Sequence, residues 1–400
     1  MNVPFLNLKM QYAELMDEIN LELKEIFENT AFIGGAKVKK FEEEAAAFLG
    51  VKHAIGCASG TDALILALRA CGVHPGDEVI TTPFTFFATA EAIASIGAKA
   101  VFVDVLQDDY NIDPDKIEKA ITDRTKAILP VHIFGAPCDM DSINAIAKEH
   151  GLKVIEDDAQ AIGSKYGDQY SGTLGDVGCF SFYPTKNLGG AGDGGMVTTN
   201  DDDLAVALMA LREHGAGKNG AKALELLEGI HVETQTSEKQ SDLYDPYKYF
   251  NYLIGYNSRL DAIQAAVLSV KLKHLDTYNA KRADVAKRYL AGLTDKLRKP
   301  VYGSDVTPCW HQFVVRSEYK QELCSYLGEH GVGSGTFYPV PLHQQKAFNP
   351  SNCGNFGVSL PVAEEISRQS VCLPIFPEIS DEQVQYVIDT VNGFYEGKAR

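Results

Sequence analysis

Between residues 53 and 213, short apolar runs alternate with stretches of helical periodicity, and few architectures accommodate that rhythm. Strands are expected at His53 to Cys57, Glu78 to Thr81, Ala100 to Val105, Ala127 to Val131, Val154 to Asp157, Val177 to Phe182 and Met196 to Thr199. Helices are expected near residues 61–70, 87–96, 114–121, 139–149 and 201–213. Such strands, separated by helices, predict an α/β fold: a mostly parallel, seven-stranded sheet covered on both faces, with ligands at the carboxyl ends of its strands.

The flanks add helices and a second unit. Tyr12, Leu15, Ile19, Leu23 and Ile26 recur at near-helical spacing, and Phe41, Ala45 and Phe48 mark a second amphipathic helix, so both should pack on the sheet unit. After Gly255, the series Ile263, Val267 and Val270, then Leu275, Tyr278, Val285, Tyr289 and Leu293, predicts long helices. They lead to a strand at Gln312 to Arg316, a helix from Tyr319 to His330, a Pro-rich passage near 339–341 and a final helix from Asp381 to Tyr395. A chain of 400 residues exceeds what one core usually holds, so we expect a large unit over 1–275 and a smaller C-terminal α/β unit over 276–400. Residues 216–250 break the rhythm. A helical turn at Leu224 to Leu227 is followed by the polar, acidic run His231 to Asp245 and by Tyr244, Tyr247, Tyr249 and Phe250, a lid or a mobile surface loop.

Charge and cysteine usage exclude several classes. A formal net charge of -17 argues against non-specific nucleic-acid binding, which needs clustered Lys and Arg. No apolar run approaches the length of a membrane span, and the first residues lack the pattern of a secretion signal, so a cytoplasmic location without membrane partners is expected. The eight cysteines form no C-x-x-C pair, and the ten histidines show no ligand spacing. Neither a disulfide framework nor a metal site is expected.

The chemistry concentrates between Val154 and Gly195. Asp157 ends an apolar strand; Lys186 follows 29 residues later on the turn Tyr183-Pro184-Thr185-Lys186-Asn187, just before Gly189-Gly190. An acid at a strand end and a lysine on a glycine-rich turn suit pyridoxal phosphate, which takes a lysine as covalent partner and a carboxylate at its ring nitrogen. Glu156 and Asp158 are rivals for the acid, but alternation along the strand puts both on the face opposite Asp157. Gln160 can donate to the phenolic oxygen, and Phe86 can cover the ring or simply belong to the core. For the phosphate, Ser59, Gly60 and Thr61 sit where a strand gives way to a helix N-terminus, with Ser181 able to add a hydroxyl. The same stretch also reads as an ordinary helix cap. Gly190 to Gly195 satisfies G-x-G-x-x-G but precedes a strand rather than a helix, so the dinucleotide reading fails on order.

With these residues in place, the chain resembles the DegT/DnrJ/StrS group of sugar aminotransferases, within the fold-type-I pyridoxal phosphate enzymes. The resemblance spans nearly the whole length. It rests on Ala58-Ser59-Gly60-Thr61-Asp62-Ala63-Leu64, His74 to Ile80, Pro130-Val131-His132-Ile133-Phe134-Gly135, Val154 to Gln160, Ser181 to Asn187, Gly192-Asp193-Gly194-Gly195 and Gly255-Tyr256-Asn257-Ser258-Arg259-Leu260. It implies that Lys186 is the Schiff-base lysine, Asp157 the pyridinium partner, Gln160 the neighbour of the phenolic oxygen and Phe86 the ring cover. Ser59, Gly60, Thr61 and Ser181 become the phosphate cradle. Asn257 becomes a phosphate ligand supplied to a neighbouring subunit, which implies a homodimer with shared sites. Arg259, Tyr338 and His343 fall where the group approaches the acceptor sugar.

The implied reaction passes an amino group from L-glutamate to a keto sugar linked to a nucleoside diphosphate, for amino-sugar biosynthesis. Relatives with histidine in place of the lysine are sugar dehydratases, and Lys186 points to transamination instead. A dehydratase, a coenzyme-binding regulator without turnover, and a cyclitol or aminobenzoate-precursor acceptor remain alternatives. Two departures bear on the substrate: Asp158 stands where the group usually has a small residue, and residues 216–250 are longer than is common.

Overall fold

The computed structural model describes residues 1–232 and 250–398. Helices α1 (Leu8–Asn29) and α2 (Gly35–Leu49) precede β1 (His53–Cys57). The alternation then runs α3 (Gly60–Ala70), β2 (Glu78–Thr81), α4 (Ala88–Ser95), β3 (Lys99–Phe102), β4 (Thr125–Leu129), α5 (Met140–His150) and β5 (Lys153–Asp157). A hairpin of β6 (Lys165–Tyr166) and β7 (Gln169–Tyr170) leads to β8 (Val177–Ser181), β9 (Gly195–Thr199), α6 (Asp202–Arg212) and α7 (Gly217–Glu228). Beyond residue 250 come α8 (Ala262–Leu272), α9 (Leu275–Gly292), β10 (Val306–Thr307), β11 (Phe313–Arg316), α10 (Lys320–Glu329), α11 (Pro361–Gln369), β12 (Ser370–Leu373) and α12 (Asp381–Lys398).

Seven strands form one sheet in the order β3-β2-β4-β5-β8-β9-β1. All run parallel except β9, which is antiparallel to both neighbours. The N-terminal residue of β9, Gly195, therefore lies beside the C-terminal residues of β1 and β8, paired with Cys57 and Ser181. Carboxyl-end loops and the start of β9 meet along one edge of the sheet.

The helices form where caps and apolar stripes coincide. Ser59 Oγ accepts from Asp62 N at 3.1 Å to open α3, Asp139 does the same for α5 through Ser142 N, and Asp261 caps α8 through Gln264 N. The N-terminal helices pack as expected: Leu15, Ile19 and Ile26 of α1 and Val38, Phe41, Ala45 and Leu49 of α2 are buried against the α8 side. Phe41 meets Phe182 edge-on at 5.4 Å, joining α2 to the segment after β8. A second apolar cluster gathers Val285 and Tyr289 of α9, Phe313 of β11, Leu323 and Leu327 of α10, Val371 of β12, Val387 and Val391 of α12, and Val3. Helix α9 starts with Leu275 in the cluster of α2 and α8 and ends with Tyr289 in this second one.

Some expectations need correction. The helix expected at 114–121 is a pair of short 3-10 turns, Pro114–Lys116 and Glu118–Ala120, and only Ile117 there is fully buried. The strand expected from Ala100 to Val105 stops at Phe102, because Asp104 turns to serve a distant segment. The helical turn expected at Leu224 to Leu227 is the end of the longer α7. The rest of that acidic and aromatic stretch, including Tyr244, Tyr247 and Tyr249, lies outside the described residues.

Asp104 carries a testable contact. Its Oδ2 accepts from Val362 N at 3.1 Å and its Oδ1 from Ala363 N at 2.9 Å, so a side chain after β3 satisfies amides at the start of α11 that have no partner within the helix. Asp104→Ala is expected to cost about 2 kcal/mol, the usual worth of hydrogen bonds to a charged group, seen as a lower urea midpoint with an unchanged slope. An unchanged midpoint would show that α11 is held by its apolar face alone.

Candidate active site

The carboxyl edge of the sheet opens into a cavity of about 1030 Å3. Asp157 lies on its floor, 4 % exposed, at the end of β5. Its Oδ2 accepts from Thr89 Oγ1 at 2.8 Å and its Oδ1 from Ala159 N at 3.2 Å. Burial raises the Asp157 pKa, while the two hydrogen bonds and the nearby Lys186 charge pull the other way. The alternation argument holds: Glu156 points away from the cavity to His132 Nε2 at 2.9 Å and accepts from the amides of Gly172, Leu174 and Gly175. Asp158 also faces away, accepting from Ser171 Oγ at 3.0 Å, and burial pushes its carboxyl up to about 7.

Lys186 lines the same cavity from the turn after β8. Burial lowers its ammonium to about 8, partly offset by Asp157. The turn is held on several sides. Lys186 N donates to Tyr183 O, Gly190 N to Phe182 O, Tyr12 OH to Gly190 O at 2.9 Å, and Lys271 Nζ to Gly189 O at 2.5 Å. Asn187 Nδ2 reaches Asn279 Oδ1 and Cys309 O, tying the turn to α9 and the segment before β11. Gly189 must be glycine, since a Cβ would sit 2.3 Å from Pro184 O.

Ser59, Gly60, Thr61 and Ser181 form another wall. Gly60 and Gly195 set how closely the strands approach there. A Cβ on Gly60 would come within 2.6 Å of Ser181 Cβ, and one on Gly195 within 2.2 Å of Ser59 O. Gly195, the last glycine of the rejected dinucleotide motif, thus serves close backbone packing at this edge. Gln160 Oε1 accepts from Phe134 N, and its Nε2 donates to Tyr338 OH at 2.8 Å. Phe86 stands at the rim, 59 % exposed, with its ring centroid 6.3 Å from that of Tyr338.

Nine of the residues singled out in the sequence thus share one cavity: Ser59, Gly60, Thr61, Phe86, Asp157, Gln160, Ser181, Lys186 and Tyr338. Asn257, Arg259 and His343 do not line it within one chain. Asn257 is exposed and bridges to Glu213, while His343 Nε2 lies 3.2 Å from Glu364 Oε1. Reading the sequence missed Thr89, whose hydroxyl meets Asp157 from α4, and the trio Arg282, His311 and Gln312, which lines the cavity from beyond α8. Nothing in their spacing marks them out, because only the tertiary fold brings them to the cavity.

The sequence profile of the DegT/DnrJ/EryC1/StrS aminotransferase family matches residues 13–392. The chain belongs to the DegT/DnrJ/EryC1/StrS aminotransferase family. It is similar to the "Pleiotropic regulatory protein" of Geobacillus stearothermophilus, with 44 % identity and 99 % of each chain covered. It is also similar to the UDP-N-acetyl-3-dehydro-alpha-D-glucosamine 3-aminotransferase of Acidithiobacillus ferrooxidans, at 41 % identity over 99 % of this chain and 98 % of that protein. Among solved structures, Streptomyces venezuelae DesV in complex with a ketimine intermediate superposes with a TM-score of 0.88, at 41 % identity and 99 % coverage of both chains. The fold is thus that of the pyridoxal phosphate aminotransferases, and the family depends on that coenzyme.

This chain's own residues fit the coenzyme. The α3 N-terminus offers backbone N-H groups beside the hydroxyls of Ser59, Thr61 and Ser181, which suits a phosphate, and a buried carboxylate and a buried amine share the remaining space. The position of the Lys186 amine can be tested without coenzyme. In competitive acetylation of the coenzyme-free protein, labelling of Lys186 should rise with pH through about 8, since only the neutral amine reacts. Exposed lysines should follow the ordinary value, about 10.4. A Lys186 midpoint among theirs would mean that the amine is solvated and the buried geometry is wrong.

Proposed function

We propose that this aminotransferase moves an amino group from L-glutamate to a keto sugar linked to a nucleoside diphosphate, and that it does so in the cytoplasm as a homodimer. The observation that carries the reading is one cavity holding a buried carboxylate, a desolvated lysine and a phosphate-sized cradle at a helix N-terminus. The acceptor class is supported by the activity in the name of the Acidithiobacillus relative. When bound, the coenzyme supplies the electron sink that makes a proton on the carbon beside the amino group removable.

The chain's own residues do the rest in this reading. Ser59, Gly60, Thr61 and Ser181 would hold the phosphate, and Gln160, held by Phe134 N and Tyr338, would lie beside the phenolic oxygen. Asp157, whose charged form is favoured by Thr89, Ala159 N and the charge of Lys186 against the effect of burial, would hold a proton on the ring nitrogen. Lys186 would hold the coenzyme; once the donor had taken its place, its Nζ would be free to take the proton from the donor carbon and deliver it to the carbon on the far side of the intervening nitrogen. A lysine lowered to about 8 is suited to both duties, because a substantial neutral fraction is present near neutral pH. As pH rises through that value the base form grows, so the rate of proton transfer should rise with it.

The dimer accounts for residues that the single cavity leaves out. Asn257, exposed on the segment after Tyr256, is proposed to reach the partner's phosphate, and the exposed Phe86 and Tyr183 at the cavity mouth are proposed to be covered by that partner. Arg259, Tyr338 and His343 are assigned to the sugar, of which Tyr338 lines the cavity of the single chain. A second reading, binding of the coenzyme by a regulator without turnover, is favoured by the name of the Geobacillus relative.

One experiment separates the readings. L-Glutamate added to the holoenzyme should bleach the coenzyme band, and a keto sugar nucleotide added after removal of the donor should restore it. Lys186→Ala should retain coenzyme binding and lose at least about a thousandfold in turnover, with Asp157→Ala losing about a hundredfold or more. A holoenzyme inert to every amine tried would favour the regulator.

A further inference from the structure

We propose that Arg282 is the anchor for a carboxylate of the amino donor; this rests on the aminotransferase reading above. Arg282 projects from α9 into the wall of the Lys186 cavity and is 4 % exposed. Its described hydrogen bonds all come from Nη1, which donates to the carbonyl oxygens of Trp310 at 3.3 Å, His311 at 3.2 Å and Ile375 at 2.9 Å. These bonds fix the plane of the guanidinium without neutralising it. The Nε group is buried and has no hydrogen-bond partner. Among the described residues, no carboxylate oxygen lies within 4.0 Å of this side chain.

An arginine does not shed its proton in a protein, so this is a buried positive charge left unpaired by the fold. Burial without a counter-ion lowers it to about 10. Glu378, an acid whose charge acts on Arg282 without forming an ion pair with it, is itself engaged by Gln11 at 3.4 Å and pushed up by burial. Burial of such a charge is unfavourable until an anion pairs with it. The cavity is where an anion can arrive.

The surroundings select which anion. His311, beside Arg282, is driven well below its ordinary pKa by burial, with Lys186 and Arg282 adding to the effect, so it is a neutral neighbour. Gln312 Oε1 is buried and unpartnered, and half a turn of that amide would present donors to the same space. Phe5, Leu6 and Ile375 complete the wall with apolar surface. One fixed cation, one neutral amide and hydrocarbon match a single carboxylate on an aliphatic chain. The diphosphate of a sugar nucleotide would call for a second cation, and among the described residues the one other cation of the cavity, Lys186, is committed to the coenzyme.

The test uses the holoenzyme and two readouts. The first is the donor half-reaction, followed by bleaching of the coenzyme band with L-glutamate, with its α-amide isoglutamine and with its γ-amide glutamine. In the native protein one of the two amides should require a tenfold to hundredfold higher concentration, about the worth of a charge-assisted hydrogen bond. In Arg282→Lys and Arg282→Gln that preference for glutamate should collapse to less than threefold. A larger shift for the sugar nucleotide than for the donor, or a preference that survives in Arg282→Lys, would overturn the proposal. A merely structural role would weaken all ligands alike and leave the glutamate-to-amide ratio intact.

The second readout needs no turnover. Trp310 is the only tryptophan, and its carbonyl accepts from Arg282, so its fluorescence should respond to glutarate, an unreactive dicarboxylate, in the native holoenzyme. The response should require at least tenfold more glutarate in Arg282→Lys. If glutamate fails to bleach the band while glutarate binding still depends on Arg282, the anchor stands and the choice of donor fails. Absence of glutarate binding in the native protein, or equal binding in Arg282→Lys, would count against the anchor itself.

Discussion

Two opposite charges buried in one cavity, the Asp157 carboxylate and the Lys186 ammonium, are the constraint around which this fold is built. Each is costly to bury alone, and each moderates the other across the site. The sheet solves the problem at its carboxyl edge. Strand β5 delivers Asp157 to Thr89 Oγ1 and Ala159 N, which favour its charged form against the effect of burial. The turn after β8 delivers Lys186, and side chains from α1, α8 and Asn187 hold that turn from behind. The first helix of the chain thereby acts on a residue far along the sequence, through a single tyrosine hydroxyl.

Close backbone approach makes the same edge possible. Strand β9 runs against its neighbours, so Gly195 is wedged between Cys57 and Ser181, with Ser59 O where its Cβ would be. Gly60 and Gly189 obey the same logic at the cradle and at the lysine turn. Any side chain at these positions would push apart the walls that bring phosphate donors, carboxylate and lysine within one coenzyme's reach.

Much of this was legible in the residues. The apolar runs marked all seven strands of the main sheet, and alternation along β5 separated Asp157 from Glu156 and Asp158, which the structure turns toward His132 and Ser171. Order along the chain also ruled out the dinucleotide motif. What stayed hidden depends on distant partners. Gln160 meets Tyr338 across 178 residues, Thr89 meets Asp157 across 68, and Arg282 sits in a helical pattern that says nothing about the cavity. Helix α11 and strand β12 were missed because a nine-residue helix running directly into a four-residue strand leaves no loop signal between them. Asn257, Arg259 and His343 came from family resemblance, and a single chain does not gather them.

The central claim is that Asp157, as a buried anion, holds the proton on the coenzyme's ring nitrogen. Nitrogen-15 magnetic resonance of the enzyme reconstituted with ring-labelled pyridoxal phosphate tests it most directly. The account predicts a protonated ring nitrogen in the native protein across neutral pH and its loss in Asp157→Ala. An unprotonated nitrogen in the native protein, or one whose protonation survives that substitution, would contradict it.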